Sequence, residues 1–474
     1  AATGRTYAGA TLVGPPGLGK SRLLAETQER LEAQASRWWL FLGRADAQQR
    51  LQPYGVLRDL LAWRLSIPDS DTGSAARQRL VDGLVPWLGE QAETRAECIG
   101  QLVGMDFSHS AHVASLSPRQ LREQAFAALV HYLHALAAEG SAVAMLIEDL
   151  HWADDGTLDF LEHLAAQATA LPLALLATAR PELLERRPDW GTRTAGHRLL
   201  RLGDLRADDA QALAAALLER AGDEGRALAA TIVQRSGGNP FFVEELVRMC
   251  IDLGVLVPDA GTDGDRWRVQ PQRLDLERLP TTLVGVLQAR LDALTPTQRV
   301  ALQQASIVGS VFWDDALGAM DAGAPAQVEA LQRRELVHRR PQSAFDDTPE
   351  AAFHHQLMQQ VTYDTVLRPM RRNGHAATAR WLAERVGDRS AEYLAITAEH
   401  YDRAGDAEHA LQYFQRAAAD ARRRYANDAA YEYLRRALAN PVAADPRVRE
   451  SLLAGLLPTW RACQVTPAIQ LKSQ

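Results

Sequence analysis

The first third of the chain alternates short apolar runs with amphipathic segments. Four runs are almost continuously apolar: Ala10–Val13, Trp38–Leu42, Ala142–Ile147 and Leu173–Ala177. Such runs are typical of strands in a parallel sheet whose two faces are both covered. We therefore predict four buried strands with helices between them.

The clearest of the intervening helices follows Ser117, which suits the N-cap position, and Pro118 suits the first helical position. Its apolar residues recur at helical spacing, at Leu121, Phe126, Leu129, Val130, Leu133 and Leu136. The alternation of strands and helices predicts an α/β doubly wound domain, with helices on both faces of a parallel sheet, that ends near residue 195.

Beyond residue 195 the pattern is mainly helical. Leu205–Ala221 and Arg226–Arg235 are rich in alanine and leucine, and a new helix is expected after the breaker Ser236–Pro240. Gly254–Val257 and Arg266–Val269 flank a turn rich in glycine and aspartate, which predicts a hairpin.

Leu279–Arg372 mixes helices with a second possible hairpin near Leu336–Phe353, and from His375 onward only helices are indicated. Small and aromatic residues in this last part have the spacing of helical-hairpin repeats, at Ala398, Tyr401, Gly405, Ala410, Tyr413, Ala417, Ala429, Tyr433 and Ala437. We expect an array of α-helical repeats there.

Composition sets the class of protein. With 474 residues the chain is too long for one core, and about three or four domains are expected. Apolar residues make up 47% and charged residues 23%, values typical of a globular chain. No run of 18 apolar residues suggests a membrane span. The net charge of −7 argues against a role in coating nucleic acid.

The three cysteines, Cys98, Cys250 and Cys463, are odd in number and far apart. They form neither a disulfide framework nor a metal-binding spacing, which favours a reducing cytoplasm. Ala1–Arg5 has neither an initiator methionine nor the apolar segment of a signal peptide, and the chain stops at Gln474 after the helical repeats. We therefore expect a segment of a longer protein.

A glycine-rich loop follows the first strand. Its pattern, Gly14-Pro15-Pro16-Gly17-Leu18-Gly19-Lys20-Ser21 followed by Arg22, is that of a phosphate-binding loop between a strand and a helix. Backbone N–H groups and the helix N-terminus would surround phosphate oxygens, Lys20 would reach the β- and γ-phosphates, and Ser21 would ligate Mg²⁺. The alternative is a glycine-rich turn that fits the pattern by chance.

Lysine usage favours the phosphate loop. Of 52 basic residues only Lys20 and Lys472 are lysine. A position that keeps lysine in an arginine-rich chain needs a compact ammonium rather than a planar guanidinium. We therefore predict that the chain binds a nucleoside triphosphate, ATP, with Mg²⁺.

Two further strands end in polar residues. The third strand ends in Glu148 and Asp149, where we expect Glu148 to hold Mg²⁺ and Asp149 to polarise the attacking water. The alternative is an acidic pair that merely ends a strand.

The fourth strand ends at Arg180, either a γ-phosphate sensor or a cap that pairs with Glu182. For His151–Asp154 a role in the chemistry of the site is one interpretation. The alternative is structural, with Trp152 packed in the core and Asp154 as the N-cap of a helix.

These segments resemble the signal-transduction ATPases with numerous domains, which are AAA+-related switch proteins. The resemblance is carried by Gly14–Ser21, Leu146–Asp154, Ala177–Glu182, Gly237–Leu246 and Phe353–Tyr363. It is closest to the ATPase region that follows class III adenylate or guanylate cyclase domains in bacteria, and related regions occur in large LuxR-type regulators.

The resemblance implies a layout in four parts. These are an AAA+-like nucleotide-binding domain at 1–195, a helical lid at 196–275, a winged helix at 276–374, and the start of a tetratricopeptide-like sensor at 375–474. It also implies that Pro240 packs on adenine and that His355 touches the β-phosphate of ADP. Helix initiation by Pro240 and a core position for His355 are the structural alternatives.

One departure concerns Glu148, because most of the wider family has aspartate there. A glutamate reaches one methylene further, so Glu148 binds Mg²⁺ through water or leaves that role to Asp149. The expected function is an ATP/ADP switch with slow hydrolysis that controls self-association or an output domain, in response to an unknown ligand at the repeats.

The alternative function is a DNA-binding regulator that uses the winged helix, with Arg333-Arg334, Arg339-Arg340 and Arg371-Arg372 as the basic groups. The acidic balance of the chain speaks against it. Cyclase activity would require a further domain, because we find no carboxylate pair suited to it. No membrane partner is expected.

Overall fold

The computed structural model describes residues 6–34, 38–46, 50, 52–68, 73–138, 141–168, 171–192, 194–258, 266–270, 272, 280–345, 347–385 and 390–469. Ala1–Arg5, the turn expected before Arg266, Lys472 and Gln474 lie outside these residues, as does the side chain of Cys463.

A five-stranded parallel sheet organises the N-terminal part. Its strands are β1 (Ala8–Val13), β2 (Trp38–Arg44), β3 (Ala142–Glu148), β4 (Leu173–Ala179) and β5 (His197–Arg201). Their order across the sheet is β2-β3-β4-β1-β5. The four predicted strands and the parallel sheet are confirmed.

Strand β5 was not predicted, because its sequence His-Arg-Leu-Leu-Arg has no apolar run and it lies at the edge of the sheet with exposed residues. The sheet therefore continues past residue 195, where the sequence pattern placed the end of this domain.

Helices flank the sheet. They are α1 (Lys20–Glu32), α2 (Gly55–Arg64), α3 (Gly73–Leu88), α4 (Ala92–Leu102), α5 (Ala111–Ser115), α6 (Pro118–Leu136), α7 (Asp155–Gln167) and α8 (Glu182–Arg186). Ser117 and Gln120 form a capping box at the start of α6, as the Ser-Pro pair indicated. We call β1–β5 with α1–α8 the sheet module.

A three-helix module follows, with α9 (Ala207–Leu217), α10 (Gly222–Ser236) and α11 (Pro240–Asp252). The predicted hairpin is present as the antiparallel strands β6 (Leu256–Pro258) and β7 (Trp267–Val269). Asn239 caps α11, and Pro240 is its first residue.

The next part, the mixed module, combines helices with a small antiparallel sheet. Its elements are α12 (Leu283–Asp292), α13 (Pro296–Val308), β8 (Val311–Trp313), α14 (Asp314–Gly318), α15 (Val328–Arg333), β9 (Val337–Arg339), β10 (Glu350–Phe353) and α16 (Gln356–Asp364). The sheet order is β8-β10-β9, so the second predicted hairpin is confirmed.

The C-terminal part is a helical array, as predicted. It contains α17 (Arg368–Arg385), α18 (Ser390–Ala404), α19 (Ala407–Arg423), α20 (Asn427–Ala439) and α21 (Pro446–Ile469). Consecutive helices pack against one another. Gly405 has a φ of 80° in the tight turn between α18 and α19, where a glycine avoids backbone strain.

The modules share apolar cores. The core of the sheet module continues into the array through Phe414 and Tyr433, and the core of the mixed module includes Phe241 of α11 and Trp381 of α17. Cys98 and Cys250 are buried free thiols. Within the described residues, every helix is too short or too polar to cross a membrane.

Candidate nucleotide-binding site

The site lies at the carboxyl edge of the parallel sheet. Val13 of β1 is paired with Ala179 of β4, and Ile147 of β3 is paired with Ala177. Neighbouring strands therefore end at one edge, where open α/β sheets bind their ligands. The glycine-rich loop, the acidic pair and Arg180 begin at these three strand ends.

The glycine-rich loop connects β1 to α1 with two left-handed residues. Gly17 has a φ of 87° and Gly19 a φ of 76°, conformations that favour glycine. Gly19 is the N-cap of α1, and the first turn of α1 contains no acidic residue. The first N–H groups of the helix and the positive end of its dipole are therefore left for an anion.

Lys20 is the first residue of α1, and only 8% of its surface is exposed. Its Nζ donates hydrogen bonds of 2.8 Å to the carbonyls of Gly14 and Pro15. Burial lowers the pKa of Lys20, and the carboxylate of Asp149 opposes that shift. The ammonium thus lies inside the loop, with Asp149 close enough to act on its charge.

The acidic pair occupies two different environments. An Arg44 Nε lies 3.6 Å from Oε2 of Glu148, at the end of the adjacent strand β2. Asp149 is left-handed, with a φ of 56°, and its N–H donates to Oγ1 of Thr178 at 2.9 Å. Burial raises the pKa of Asp149, and the charge of Glu148 raises it further.

Arg180 is bound by residues from two directions. Its backbone N–H donates to Nδ1 of His151 at 3.3 Å, and its guanidinium Nη2 donates to Oε1 of Gln356 at 2.9 Å. Burial lowers the pKa of His151 to about 3, and the positive charge of Arg180 acts in the same direction. His151 is therefore neutral, which fits the acceptor role of its Nδ1.

The segment after the acidic pair is mainly structural. Asp154 caps α7 by accepting the N–H of Thr157 at 3.0 Å, as the N-cap interpretation predicted. Trp152 donates from Nε1 to Oε1 of Gln356 at 3.1 Å. Its partner on α16 was not predicted.

The three-helix module contacts the glycine-rich loop directly. Nδ2 of Asn239 donates to the Pro16 carbonyl at 3.3 Å, and the N–H of Phe241 donates to the Gly17 carbonyl at 3.1 Å. A Cβ on Gly17 would lie 2.6 Å from Oδ1 of Asn239. Pro240 is the first residue of α11, so it serves the helix-initiation role that was its structural alternative.

His355 is the N-cap residue of α16 and lies beside this contact. Its ring centroid is 4.1 Å from that of Phe241, and burial lowers its pKa to about 4. Ser21 and Arg22 are exposed on the first turn of α1, and Arg22 pairs with Glu26. The structure thus brings the loop, Lys20, Asp149 and Arg180 together. His355 packs on Phe241, the residue whose N–H contacts the loop.

These residues suit a nucleoside triphosphate with Mg²⁺. The uncapped start of α1 and the buried ammonium of Lys20 offer positive charge to phosphates. The hydroxyl of Ser21 and the carboxylates of Glu148 and Asp149 are the oxygen donors that Mg²⁺ prefers. Further residues contact the site and had no role predicted from the sequence: Arg44, Thr178, Asn239, Phe241 and Gln356.

Comparison with known proteins finds similarity to one family and to one curated protein. The AAA ATPase domain family matches residues 1–177. An uncharacterized protein of Rhizobium meliloti (strain 1021) is 26% identical over 437 residues, which are 90% of this chain and 40% of that protein. The chain thus spans about two fifths of the length of this relative.

Solved structures are similar to the chain at low sequence identity. A signal-transduction ATPase with numerous domains and a tetratricopeptide repeat sensor from Pyrococcus horikoshii is 12% identical, with a TM-score of 0.47, and the match covers 99% of this chain and 63% of that one. The Aeropyrum pernix Orc1 protein in complex with DNA is 14% identical over 76% of this chain and 87% of that one, with a TM-score of 0.32.

The family match covers the glycine-rich loop and the acidic pair, and it confirms the AAA-related ATPase that the motifs indicated. Over residues 1–177 this chain is therefore similar to the AAA ATPase domain family.

Proposed function

We propose that the chain is an ATP/ADP switch of the signal-transduction ATPase type, with slow Mg²⁺-dependent hydrolysis. The supporting observation is a continuous set of contacts around the site. Gly17 bonds to Phe241, Phe241 packs on His355, and the neighbouring Gln356 bonds to Arg180. The three-helix module acts as the lid and the mixed module as the winged helix in this proposal.

Each residue has a defined task. Lys20 and the loop N–H groups bind the phosphates, while Ser21 with Glu148 or Asp149 would hold Mg²⁺. The metal would neutralise charge on the phosphates. The raised pKa of Asp149 suits it to orient and deprotonate water, because a base is most effective when its pKa approaches the working pH. Pro240 would border the adenine, and His355 would contact the β-phosphate of ADP.

The lid and winged-helix contacts favour a switch over a rapidly cycling enzyme. Nucleotide exchange requires them to break, and a two-state element with contacts to both modules can respond to which nucleotide is bound. We propose that ADP favours the docked arrangement and that ATP favours release, which would permit self-association or control of an output domain in a longer chain. The helical array would receive a ligand of unknown identity.

The DNA-binding alternative has less support. Five of the six arginines proposed for it are used within the chain, in the pairs and bonds Arg333–Glu329, Arg339–Asp314, Arg340–Glu350, Arg371 to the Val366 carbonyl and Arg372 to the Ala404 carbonyl. Residues engaged in this way must exchange a partner before they can contact phosphates.

The central experiment is nucleotide binding by the Lys20→Ala variant. Calorimetric titration should detect Mg²⁺-ATP and ADP binding to the wild type, and we expect a loss of about 100-fold or more on removal of the phosphate-binding ammonium. Arg30→Ala, on the exposed last turn of α1, is the control and should bind as the wild type does. Equal affinity of Lys20→Ala and the control would contradict the proposal.

A further inference from the structure

The first residue of α16 reaches the sheet module through its side chain. Oε1 of Gln356 accepts hydrogen bonds from Nη2 of Arg180 at 2.9 Å and from Nε1 of Trp152 at 3.1 Å. A carbonyl oxygen has two lone pairs, so two donors saturate it. Arg180 directly follows β4, and Trp152 lies four residues beyond the end of β3. One amide therefore bridges the segments that follow two strands of the nucleotide site.

The two donors are held by a common buried side chain. The backbone N–H of Arg180 donates to Nδ1 of His151, and the ring of His151 lies 5.1 Å from that of Trp152. His151 itself is 4% exposed. The sheet module thus presents the two donors as a fixed pair, and Gln356 meets them when the mixed module is docked.

The charge of the partner matters here. Gln356 is neutral, so it satisfies one guanidinium N–H of Arg180 without neutralising the charge. The charge of Arg180 also acts on Lys20, in the direction that disfavours its protonated form. An anion between these two cations would be stabilised by both, and a phosphate oxygen is a stronger acceptor for guanidinium than an amide oxygen is.

We propose that Gln356 is a positioning residue that holds Arg180 while the mixed module is docked, so that the terminal phosphate of ATP and Gln356 compete for the same guanidinium. ADP lacks that phosphate and leaves the contact intact. Only a ligand that interacts differently with the two arrangements can shift their populations, and this competition supplies the difference. The inference rests on the proposed function, because it requires nucleotide in the site.

The test is the ratio of affinities for a non-hydrolysable ATP analogue and for ADP, measured by calorimetry with Mg²⁺. In Gln356→Leu the competitor for Arg180 is removed, and we expect the ratio to rise about tenfold in favour of the ATP analogue, on the scale of a hydrogen bond to a charged group. Gln356→Glu should lower the ratio, because a carboxylate binds Arg180 more strongly than an amide does.

The matched control is Gln359→Leu on the same helix. Nε2 of Gln359 donates to the Ser306 carbonyl within the mixed module, at 2.8 Å. Its ratio should equal that of the wild type. The double variant Arg180→Leu with Gln356→Leu should behave as Arg180→Leu alone, since the effect of Gln356 acts through Arg180.

Three outcomes overturn the inference while wild-type binding stands. These are an unchanged ratio in Gln356→Leu, a ratio that rises in Gln356→Glu, and a gain in the double variant over Arg180→Leu alone. If the leucine variant does not fold, the opposite change expected of Gln356→Glu decides the question. A wild type that binds neither nucleotide overturns the proposed function itself, and this outcome is distinguishable from the others.

Discussion

At the residue scale, Asp149 combines an unusual backbone with a desolvated carboxylate. Its φ of 56° is uncommon for a residue with a side chain, although aspartate tolerates this conformation better than most. The hydrogen bond from its N–H to Thr178 keeps it in place. Backbone strain of this kind is concentrated at functional sites. The position of the Asp149 carboxylate therefore depends on a contact with the neighbouring strand β4 as well as on the local sequence.

We therefore expect Asp149→Asn to bind ATP with nearly wild-type affinity and to hydrolyse it about 100-fold more slowly, the scale of a lost general base. Single-turnover hydrolysis measured after saturation with Mg²⁺-ATP separates the two effects. Asp82→Asn, on the outer side of α3, serves as the control. Unaltered hydrolysis in Asp149→Asn would assign the water-activating role to Glu148, and Glu148→Gln would then be the slow variant.

A second residue-scale prediction concerns the buried N-cap Asp154. Burial raises its pKa from 3.8 to about 6, against the opposing hydrogen bonds from Thr157. A carboxyl with a raised folded-state pKa favours folding at low pH and loses that contribution as pH rises from about 4 to about 6. Above that range the ionised carboxylate lowers the free energy of unfolding, by about 1.4 kcal/mol for each tenfold difference in proton affinity between the folded and unfolded chain.

Asp154→Asn retains an acceptor for the α7 cap and removes the charge. We expect its melting temperature to exceed that of the wild type at pH 7 to 8, a range that lies above the raised pKa of Asp154. The difference should shrink as pH falls through the window from 6 to 4. Thermal unfolding of both proteins over this pH series is the measurement, and a pH-independent difference would contradict a raised pKa at Asp154.

At the element scale, the strands show what the sequence pattern can predict. β1 to β4 read as apolar runs because almost all of their residues are buried or half-buried, so each was located to within two residues at each end. β5 carries no apolar signal because three of its five residues are exposed, whereas β2, which also has one strand neighbour, is apolar. The parallel pairing and the glycine-rich loop predicted the edge on which the site forms.

Partners from distant elements could not be predicted in the same way. Gln356 lies 176 positions from Arg180, and Asn239 lies 223 positions from Pro16. Each becomes a partner only because α11 and α16 dock on the sheet module. The breaker Ser236–Pro240 indicated that a helix follows, but it carried no information about which loop carbonyl the N-cap residue Asn239 would contact.

Asn239 joins α11 to the glycine-rich loop, and its two contacts can be separated by substitution. Its Oδ1 caps α11, while its Nδ2 donates to the Pro16 carbonyl. Asn239→Asp should keep the cap and lose the donor, and we expect ADP affinity to fall several-fold with little change in stability. Ser117→Ala loses only the cap of α6 and should cost about 1 kcal/mol of stability without changing ADP affinity.

ADP titration and thermal unfolding of the two variants separate docking from capping. If Asn239→Asp keeps full ADP affinity, as Ser117→Ala is expected to do, the contact between α11 and the loop has no part in nucleotide binding.

At the scale of the whole molecule, the array is held against the sheet module by a buried arginine on the loop after α19. Nη1 of Arg424 donates to the Pro53 carbonyl at 3.1 Å, its Nη2 pairs with Asp420, and 4% of its side chain is exposed. The hydroxyls of Tyr54 and Tyr433 are buried in the same region. Breaking a buried polar contact between two modules costs free energy. Removing only one partner is also costly, because the charge that stays buried keeps its desolvation penalty without a partner.

We expect Arg424→Leu to loosen the array from the sheet module, because the Pro53 carbonyl loses its guanidinium donor, at about 1.5–3 kcal/mol for a hydrogen bond to a charged group. The lost bond to Asp420 lies within the array. Arg423→Leu is a closely matched control, since Arg423 also pairs with Asp420 but has a side chain that is 68% exposed.

Small-angle scattering should give a larger radius of gyration for Arg424→Leu alone, and ADP should dissociate faster from it. The second effect follows only if docking of the array supports the closed arrangement at the nucleotide. A larger radius with an unchanged rate of ADP release would therefore separate the array from the switch, whereas an unchanged radius would mean that the shared apolar core alone holds the array in place.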